Sequence, residues 1–174
     1  MDKVILVDQH DNEIGFADKM EAHQKGLLHR AFSIFIFNSG GQLLLQKRTH
    51  NKYHSGGLWS NTCCSHPRPG EKTPDAAKRR LWEEMGLRSK LQKAFNFSYR
   101  VEFANGLVEN EFDYVFIGLC DMDPNPDPRE VADWKYVDVD FVLRDSVNQP
   151  EQYTFWFKKS ISKVLDYLHR NPVK

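Results

Sequence analysis

The sequence lacks any long apolar run. No stretch approaches the roughly 20 consecutive apolar residues that a membrane-spanning helix needs, so we expect a protein that does not cross a membrane. The first residues, 1–4, also lack the apolar core and cleavage site of a secretory signal peptide. An excess of charge of one sign is missing too, because 24 Lys and Arg balance 24 Asp and Glu. Without a global electrostatic field, neither nucleic acid nor an acidic membrane surface is an expected partner.

Cysteine is also scarce. The 3 cysteines cannot all pair, and Cys63 and Cys64 are neighbours that would form a disulfide only under strain. Reduced thiols in a cytoplasmic protein are therefore expected.

Repeats, low-complexity tracts and linkers are missing as well. We predict one domain over residues 1–174, a length that supports a substantial core.

Strand and helix patterns mix along the chain without regular alternation, which favours an α+β fold with mixed sheets packed against helices. Apolar runs and alternating patterns predict strands over residues 4–7, 31–37, 43–47, 59–64, 91–100, 107–119 and 134–137. A turn at residues 38–41 indicates a hairpin, and Asn105-Gly106 is a dipeptide preferred in tight hairpin turns.

Three helices are predicted. The first has Thr73 as its N-cap, Pro74 in its first turn and Gly86 just past its end. Asp138 is placed to cap a second, short helix. A closing amphipathic helix carries apolar side chains at helical spacing: Phe157, Ile161, Val164, Leu165 and Leu168.

The segment 59–67 carries the clearest chemical signal. Cys64 and His66 are two residues apart, so in an extended segment both point to the same side. In the helix that follows, Glu84 lies on the apolar side and Glu83 towards solvent. A carboxylate on an apolar helix face needs compensation. An ordinary i, i+4 pair with Arg80 supplies it, and a bound metal is the alternative.

Glu109 and Glu111 share one face of a predicted strand, about 6.6 Å apart. They either form a solvated face or chelate a divalent cation, while the opposite face, with residues 108, 112, 114 and 116, is the expected core. His23 and His29 are surface residues on the simplest interpretation, and His66 is the imidazole beside Cys64. Together with the two glutamates they would form a mixed nitrogen and oxygen site, which suits Mn²⁺ or Zn²⁺ better than Ca²⁺.

Two further groups have alternative interpretations. The neighbouring cysteines with His66 could belong to a structural zinc site, but the chain lacks a second cysteine pair at the required spacing. Lys19, Arg48 and Lys52 lie in or beside loops, where they are either solvated surface charges or a clamp for a diphosphate.

The helix region resembles a degenerate Nudix box, aligned back from Gly86. The matching residues are Glu71, Arg79, Leu81, Glu83, Glu84, Gly86 and Leu87. Ser65 replaces the opening glycine of the motif and Arg80 replaces a glutamate. That acidic residue is a metal ligand in Nudix pyrophosphohydrolases, so the replacement weakens an assignment to their chemistry.

These departures are similar to one branch of the superfamily, the type I isopentenyl diphosphate isomerases. The resemblance extends over residues 4–168. Its most specific parts are residues 61–67 and 108–111, supported by residues 19–23, 29–33 and 44–48.

The resemblance implies a Nudix fold and an enzyme that interconverts isopentenyl diphosphate and dimethylallyl diphosphate by metal-assisted protonation and deprotonation in isoprenoid biosynthesis. The alternatives are a Nudix pyrophosphohydrolase acting on a nucleoside or other diphosphate, and a metal-binding module without activity. The expected partner is a small-molecule diphosphate, and the expected assembly is a monomer or weak dimer.

The resemblance also implies roles for individual residues. Mn²⁺ or Zn²⁺ would be bound by His23, His29, His66, Glu109 and Glu111. Mg²⁺ at the diphosphate would be held by Glu84 and the main-chain carbonyl of Cys64. Contacts with the substrate would come from Lys19, Arg48, Lys52, Ser65 and Arg80. Cys64 and Glu111 would be the acid and base, assisted by Tyr99. Trp156 would cover the hydrocarbon, although Phe155 precedes it where the family has proline.

Overall fold

Nine strands and four α-helices form the fold in the computed structural model, which describes residues 2–171. The strands are β1 (Lys3–Val7), β2 (Glu13–Asp18), β3 (His29–Phe37), β4 (Leu43–Arg48), β5 (Trp59–Ser60), β6 (Cys63–Ser65), β7 (Gln92–Glu102), β8 (Val108–Leu119) and β9 (Val131–Val137). The helices are α1 (Lys19–Lys25), α2 (Thr73–Met85), α3 (Val139–Asn148) and α4 (Phe155–Arg170), with a 3-10 turn at Pro150–Gln152.

Strand β3 organises the sheet. It pairs antiparallel with β1 and β6 and parallel with β8, which forms a long antiparallel hairpin with β7. The predicted hairpin between β3 and β4 is present, but the two strands pair only at Phe37 and Leu43. Beyond that point they separate, and β4 pairs instead with β5 and β9.

Helices cover both faces of the sheet, as the predicted mixed α+β architecture requires. The apolar cluster under α2 includes Phe32, Ile34, Leu44, Leu81 and Met85. The cluster under α4 includes Phe35, Leu45, Val115, Phe157 and Ile161. Successive residues of β3 thus enter opposite clusters, since side chains alternate across a strand. Full burial of each such side chain contributes roughly 1.5–3 kcal/mol before entropy costs.

The predicted strand over residues 59–64 is wrong as one continuous strand. Asn61 and Thr62 separate β5 from β6 and lie in the gap between β3 and β4. Asn61 Nδ2 donates to the carbonyl of Ile34 (3.1 Å), and Thr62 Oγ1 donates to the carbonyl of Leu44 (2.7 Å). These buried side chains satisfy main-chain groups that the separated strands leave unpaired.

The predicted start of α2 is wrong by one residue. The carbonyl of Lys72 accepts the first helical hydrogen bonds, from Asp75 and Ala76, so Lys72 is the N-cap and Thr73 the first helical residue. The end of the helix at Gly86 is confirmed, and so is the Asp138 cap of α3.

Within residues 2–171, no helix has the length and apolar character needed to cross a bilayer. The single domain over residues 1–174 remains a prediction. Met1 and residues 172–174 lie outside the described part of the chain.

Candidate active site and metal centre

The candidate site lies where β3 and β8 begin side by side. The parallel register pairs His29, the first residue of β3, with Glu111. Helix α1 ends at Gly26, whose φ of +63° turns the chain back towards β3 and places His23 beside this pair. Strand β6 runs antiparallel to β3, so that His66, directly after it, joins them.

Hydrogen bonds orient the imidazoles. Nδ1 of His23 lies 2.6 Å from the carbonyl of Lys19, and Nδ1 of His29 lies 2.8 Å from the carbonyl of Leu27. A carbonyl only accepts, so in both rings Nδ1 carries a hydrogen, and in the neutral form of each ring Nε2 carries the lone pair. This is the arrangement of metal-binding histidines, whose second ring nitrogen is fixed by a hydrogen bond.

Four predicted ligands converge. The ligand atoms of His23, His29, His66 and Glu111 all lie within 4.8 Å of one another, and His66 Nε2 is 2.9 Å from Glu111 Oε1. Within the described residues, Nε2 of His23 and Nε2 of His29 are buried without a hydrogen-bond partner. Unpaired buried nitrogens are costly, and a divalent cation would satisfy them. The donor set therefore fits a transition metal ion.

The fifth predicted ligand, Glu109, belongs to an adjacent group. Its carboxylate lies with His23 and His54, again with all ligand atoms within 4.8 Å of one another. The sequence analysis missed His54. It lies in the loop between β4 and β5, among polar residues without periodicity, and only the folded chain shows that it is 5% exposed.

The face of β8 that carries Glu109 and Glu111 is buried, which contradicts the alternative of a solvated carboxylate face. Glu109 and Glu111 are 4% and 6% exposed. The expected core face on the other side holds Phe112 and Tyr114, which are only half-buried. Strand β8 lies inside the sheet, between β3 and β7, so its main chain is paired on both edges. A third carboxylate, Asp113, was missed and is fully buried.

The buried carboxylates have opposite pKa shifts. Burial alone would raise the pKa of Glu111, but the imidazoles of His29 and His66 hold it well below its usual range. Burial and the nearby charge of Glu111 raise the pKa of Asp113 well above its usual range. Asp113 accepts a hydrogen bond from Ser33 Oγ (2.7 Å).

Tyr99 joins the two glutamates. Its hydroxyl lies 2.8 Å from Glu109 Oε2 and 2.6 Å from Glu111 Oε2, and donates its hydrogen to this pair. Burial and the two carboxylates raise the pKa of Tyr99 well above its ordinary value. The phenol therefore keeps its proton and fixes the orientation of both carboxylates.

Cys64 lines the same pocket as Glu111. Its thiol donates to Asn61 Oδ1 (3.1 Å), and the indole N–H of Trp156 donates to the sulfur (3.1 Å). Burial, reinforced by the charge of Asp113, raises the pKa of Cys64 to about 12. The thiol is therefore neutral and protonated at pH 7. Its hydrogen bonds fix the position of the sulfur.

Cys63 points away from this pocket. It is fully buried in the apolar cluster under α2. Within residues 2–171, neither group of potential metal ligands contains a cysteine. The alternative of a structural zinc site built from Cys63, Cys64 and His66 is thus not supported.

Trp156, in the first turn of α4, is 3% exposed and lines the pocket. The guanidinium of Arg48 lies 5.2 Å from the centre of its ring. The indole therefore contacts a cation and the Cys64 sulfur at the same time. Both contacts hold it rigidly at the edge of the pocket.

The five predicted substrate-binding residues all line this pocket: Lys19, Arg48, Lys52, Ser65 and Arg80. Three basic residues that were not predicted to bind the substrate also line it: Lys3, Arg68 and Arg79. Burial lowers the pKa of Lys19, and the charges of Lys52 and Arg48 lower it further. Such a concentration of positive charge favours an anionic ligand.

Arg80 is engaged in ion pairs at this mouth. It binds Glu84, as the i, i+4 interpretation predicted, and also Glu83 (2.8 Å) and Glu130 (3.4 Å). Lys52 forms an ion pair with the same Glu130. Glu84, 4% exposed, accepts a further hydrogen bond from Gln46 Nε2 (3.2 Å). Glu84 is thus compensated on both sides by protein groups.

The remaining residues of the Nudix-like pattern stabilise the segment around α2. Arg79 binds Glu71 through two nitrogens (2.7 and 2.8 Å) and pairs with Glu83 (3.1 Å). Gly86 has a φ of +66°, and a Cβ there would lie 2.6 Å from the carbonyl oxygen of Asn125. The glycine is required both by the turn and by this close approach.

The fold and this helix define a Nudix domain. The family model for the NUDIX domain matches residues 27–157. A solved structure from Deinococcus radiodurans is similar with a TM-score of 0.78 at 15% identity, covering 93% of this chain and 98% of that one. The MutT protein from Methanosarcina mazei is similar with a TM-score of 0.67 at 18% identity, covering 84% and 96%. At these identities the likeness shows the fold alone.

Curated relatives identify a narrower family within the Nudix proteins. Isopentenyl-diphosphate Delta-isomerase 2 of Aromatoleum aromaticum is 57% identical over 94% of this chain and 87% of its own length. Isopentenyl-diphosphate Delta-isomerase of Pectobacterium atrosepticum is 50% identical over 95% and 92%. The chain therefore belongs to the isopentenyl-diphosphate Delta-isomerase family of Nudix proteins.

Proposed function

We propose that this protein interconverts isopentenyl diphosphate and dimethylallyl diphosphate, a step of isoprenoid biosynthesis. The observation that carries the proposal is the placement of Cys64 and Glu111 around one pocket lined by basic residues. The names of the relatives, which span nearly the whole chain, support the same reaction.

The reaction moves a double bond without net oxidation. A C–H bond forms at the terminal alkene carbon, and another breaks at the carbon next to the one that bears the diphosphate. Between these events the positive charge is greatest at the tertiary carbon. An acid and a base must therefore lie close to the five-carbon unit. In this proposal Cys64 and Glu111 fill these positions, and Tyr99 holds Glu111 in place and assists the proton transfer.

Trp156 would cover the hydrocarbon. An indole face stabilises a nearby cation by about 2 kcal/mol when water is excluded. Exclusion of water also matters because water would trap the cation as an alcohol. The hydrogen bond from the indole to Cys64 keeps the ring beside the reacting carbons.

The metal centre would consist of His23, His29, His66, Glu109 and Glu111, with Mn²⁺ or Zn²⁺ as the expected ion. The unpaired Nε2 atoms of the first two histidines support this assignment. The ion would supply positive charge that orients Glu111 and lowers its affinity for a proton.

The diphosphate would be bound by Lys19, Arg48, Lys52, Ser65 and Arg80. Mg²⁺ bound to the diphosphate would be held by Glu84 and the main-chain carbonyl of Cys64. Since Arg80 and Glu84 are paired, binding of the cation would exchange one partner of Glu84 for another. Arg80 would then be free to contact phosphate oxygens, which favour charged donors.

Hydrolysis of a diphosphate is the less supported alternative. The Nudix hydrolase pattern has a glutamate at the position of Arg80, and here Arg80 neutralises Glu83 and Glu84. One assay separates the possibilities. Incubation with isopentenyl diphosphate and Mg²⁺ should give an acid-labile allylic product. A hydrolase would instead release phosphate or a monophosphate, and a metal-binding module without activity would give no product.

The cellular setting is also part of the proposal. Within the described residues the three cysteines are free thiols, which suits the reducing cytoplasm. A small diphosphate would be the partner, and the expected assembly is a monomer or weak dimer. Size-exclusion chromatography with light scattering would test the assembly.

A further inference from the structure

His54 is a buried imidazole without an assigned role. It is 5% exposed, in the loop between β4 and β5. The backbone directly after it is unusual, since Ser55 has a φ of +51°, in the left-handed region that non-glycine residues rarely adopt. At Gly56 a Cβ would lie 2.5 Å from the carbonyl oxygen of His50. The turn directly after His54 thus depends on a glycine at position 56 and on a left-handed residue at position 55.

The contacts of the ring point to a ligand role. Nε2 of His54 lies 2.8 Å from Glu109 Oε1, yet within residues 2–171 it makes no hydrogen bond of acceptable geometry. Consider two ligand atoms that each lie roughly 2.1 Å from the same ion. If their bonds to the ion make a right angle, the two atoms are about 3.0 Å apart. The separation of His54 and Glu109 thus matches that of two ligands sharing an ion.

A role in packing alone leaves this nitrogen unexplained. The ring stacks on Phe103 (4.4 Å between centres, 8° between planes) and meets Tyr53 edge-on (4.4 Å, 84°). These contacts fix the plane of the ring, and phenylalanine would make them as well. Imidazole adds a nitrogen that lies beside the Glu109 carboxylate without a hydrogen bond of acceptable geometry, so its choice over phenylalanine points to a ligand in the interior.

We propose that His54 is a further ligand of the metal centre and binds through Nε2 beside Glu109. The two groups of ligands overlap at His23. Because Nδ1 of His23 donates to Lys19, only its Nε2 is available, and one lone pair binds one ion. On this proposal the two groups serve a single ion, which would draw on four imidazoles and two carboxylates.

This inference rests on the proposed metal centre, and the test uses the metal alone. Zn²⁺ is titrated calorimetrically into the metal-free full chain, the His54→Phe variant and a control, His10→Phe, which alters an exposed histidine in the same way. The expected affinity of His54→Phe is lower by roughly 100-fold, the upper end of the loss seen when groups that support metal ligands are removed. The wild type and the control should bind one ion per chain equally well.

Other outcomes have distinct meanings. A wild-type chain that binds no Zn²⁺ contradicts the proposed metal centre itself. Equal affinities of the wild type and His54→Phe, or two tightly bound ions per wild-type chain, overturn the role of His54 only. Thermal unfolding of the metal-free variants checks folding. If His54→Phe does not fold, His54→Gln replaces it.

A second readout separates a ligand from a residue that only orients Glu109. In protein labelled with ¹⁵N-histidine, the signal absent from His54→Phe identifies His54. Zn²⁺ at one equivalent should move the Nε2 resonance of His54 together with those of the other metal-binding histidines. A resonance that stays in place when the site is saturated would overturn the proposal.

Discussion

The neutral state of the Cys64 thiol leads to a prediction that can be measured without substrate. An ordinary cysteine has a pKa near 9.0, whereas burial raises the pKa of Cys64 to about 12. Three units correspond to about 4 kcal/mol and to a thousandfold smaller fraction of thiolate at neutral pH. Because the thiolate is the reactive form, alkylation should be slower by about the same factor. The sign follows from burial, which disfavours the charged form.

The assay is alkylation of metal-free protein with iodoacetamide between pH 7 and 10, with the label on the Cys64 peptide quantified by mass spectrometry. A Cys120→Ser background removes one competing thiol. Limited access also slows the reaction, but access does not change the slope with pH. The rate should therefore rise about tenfold per pH unit and should not level off within this range. A plateau below pH 9 would refute the view that burial governs this thiol.

Three further predictions concern Glu111, the bound metal and Gly86 at the end of α2. Glu111→Gln should reduce isomerase turnover by orders of magnitude in a steady-state assay, because the amide lacks the proton-transferring carboxylate. Circular dichroism should show an intact fold, because the amide has the same shape. Near-normal turnover would contradict its role. Chelation with EDTA should abolish turnover. The cooperative thermal transition should remain, since the apolar clusters lie outside the metal centre. Activity that survives chelation would count against a required metal. Gly86→Ala should lower the free energy of unfolding by more than about 1 kcal/mol in urea, because the new Cβ meets the Asn125 carbonyl at a positive φ; an unchanged midpoint would show that the turn relaxes without cost.

The parts of the fold that depend on local chemistry could be predicted from the sequence. Gly86 ends α2 because a left-handed residue is needed there, and Asp138 caps α3 through a bond from the amide of Phe141 (2.9 Å). The break at Asn61 could not be predicted. It depends on the separation of β3 from β4, which is a property of the whole sheet.

The candidate site likewise has features that could be predicted from the sequence and features that could not. Residue types and spacing suggested a pair of carboxylates at Glu109 and Glu111, but their burial depends on the position of β8 within the sheet. The pairing of Glu111 with His29 comes from a parallel register between strands about 80 residues apart along the chain. The sequence analysis grouped these residues by their type and by family resemblance, because spacing alone could not show that they meet. Neither a residue pattern nor the family resemblance indicated a role for His54, which lies in an irregular loop.

The position of Arg80 links the shared fold to a particular chemistry. Two solved structures of similar shape have 15% and 18% identity, and the backbone alone does not specify a reaction. On α2 the guanidinium of Arg80 occupies the carboxylates of Glu83 and Glu84, which reduces the capacity of this helix to bind metal by itself. Within residues 2–171, buried imidazole nitrogens without a hydrogen bond lie instead on α1, at the start of β3 and in the loop before β5. On the proposed function, these nitrogens would hold a metal ion beside Glu111, where a proton is transferred, in addition to the Mg²⁺ at the diphosphate.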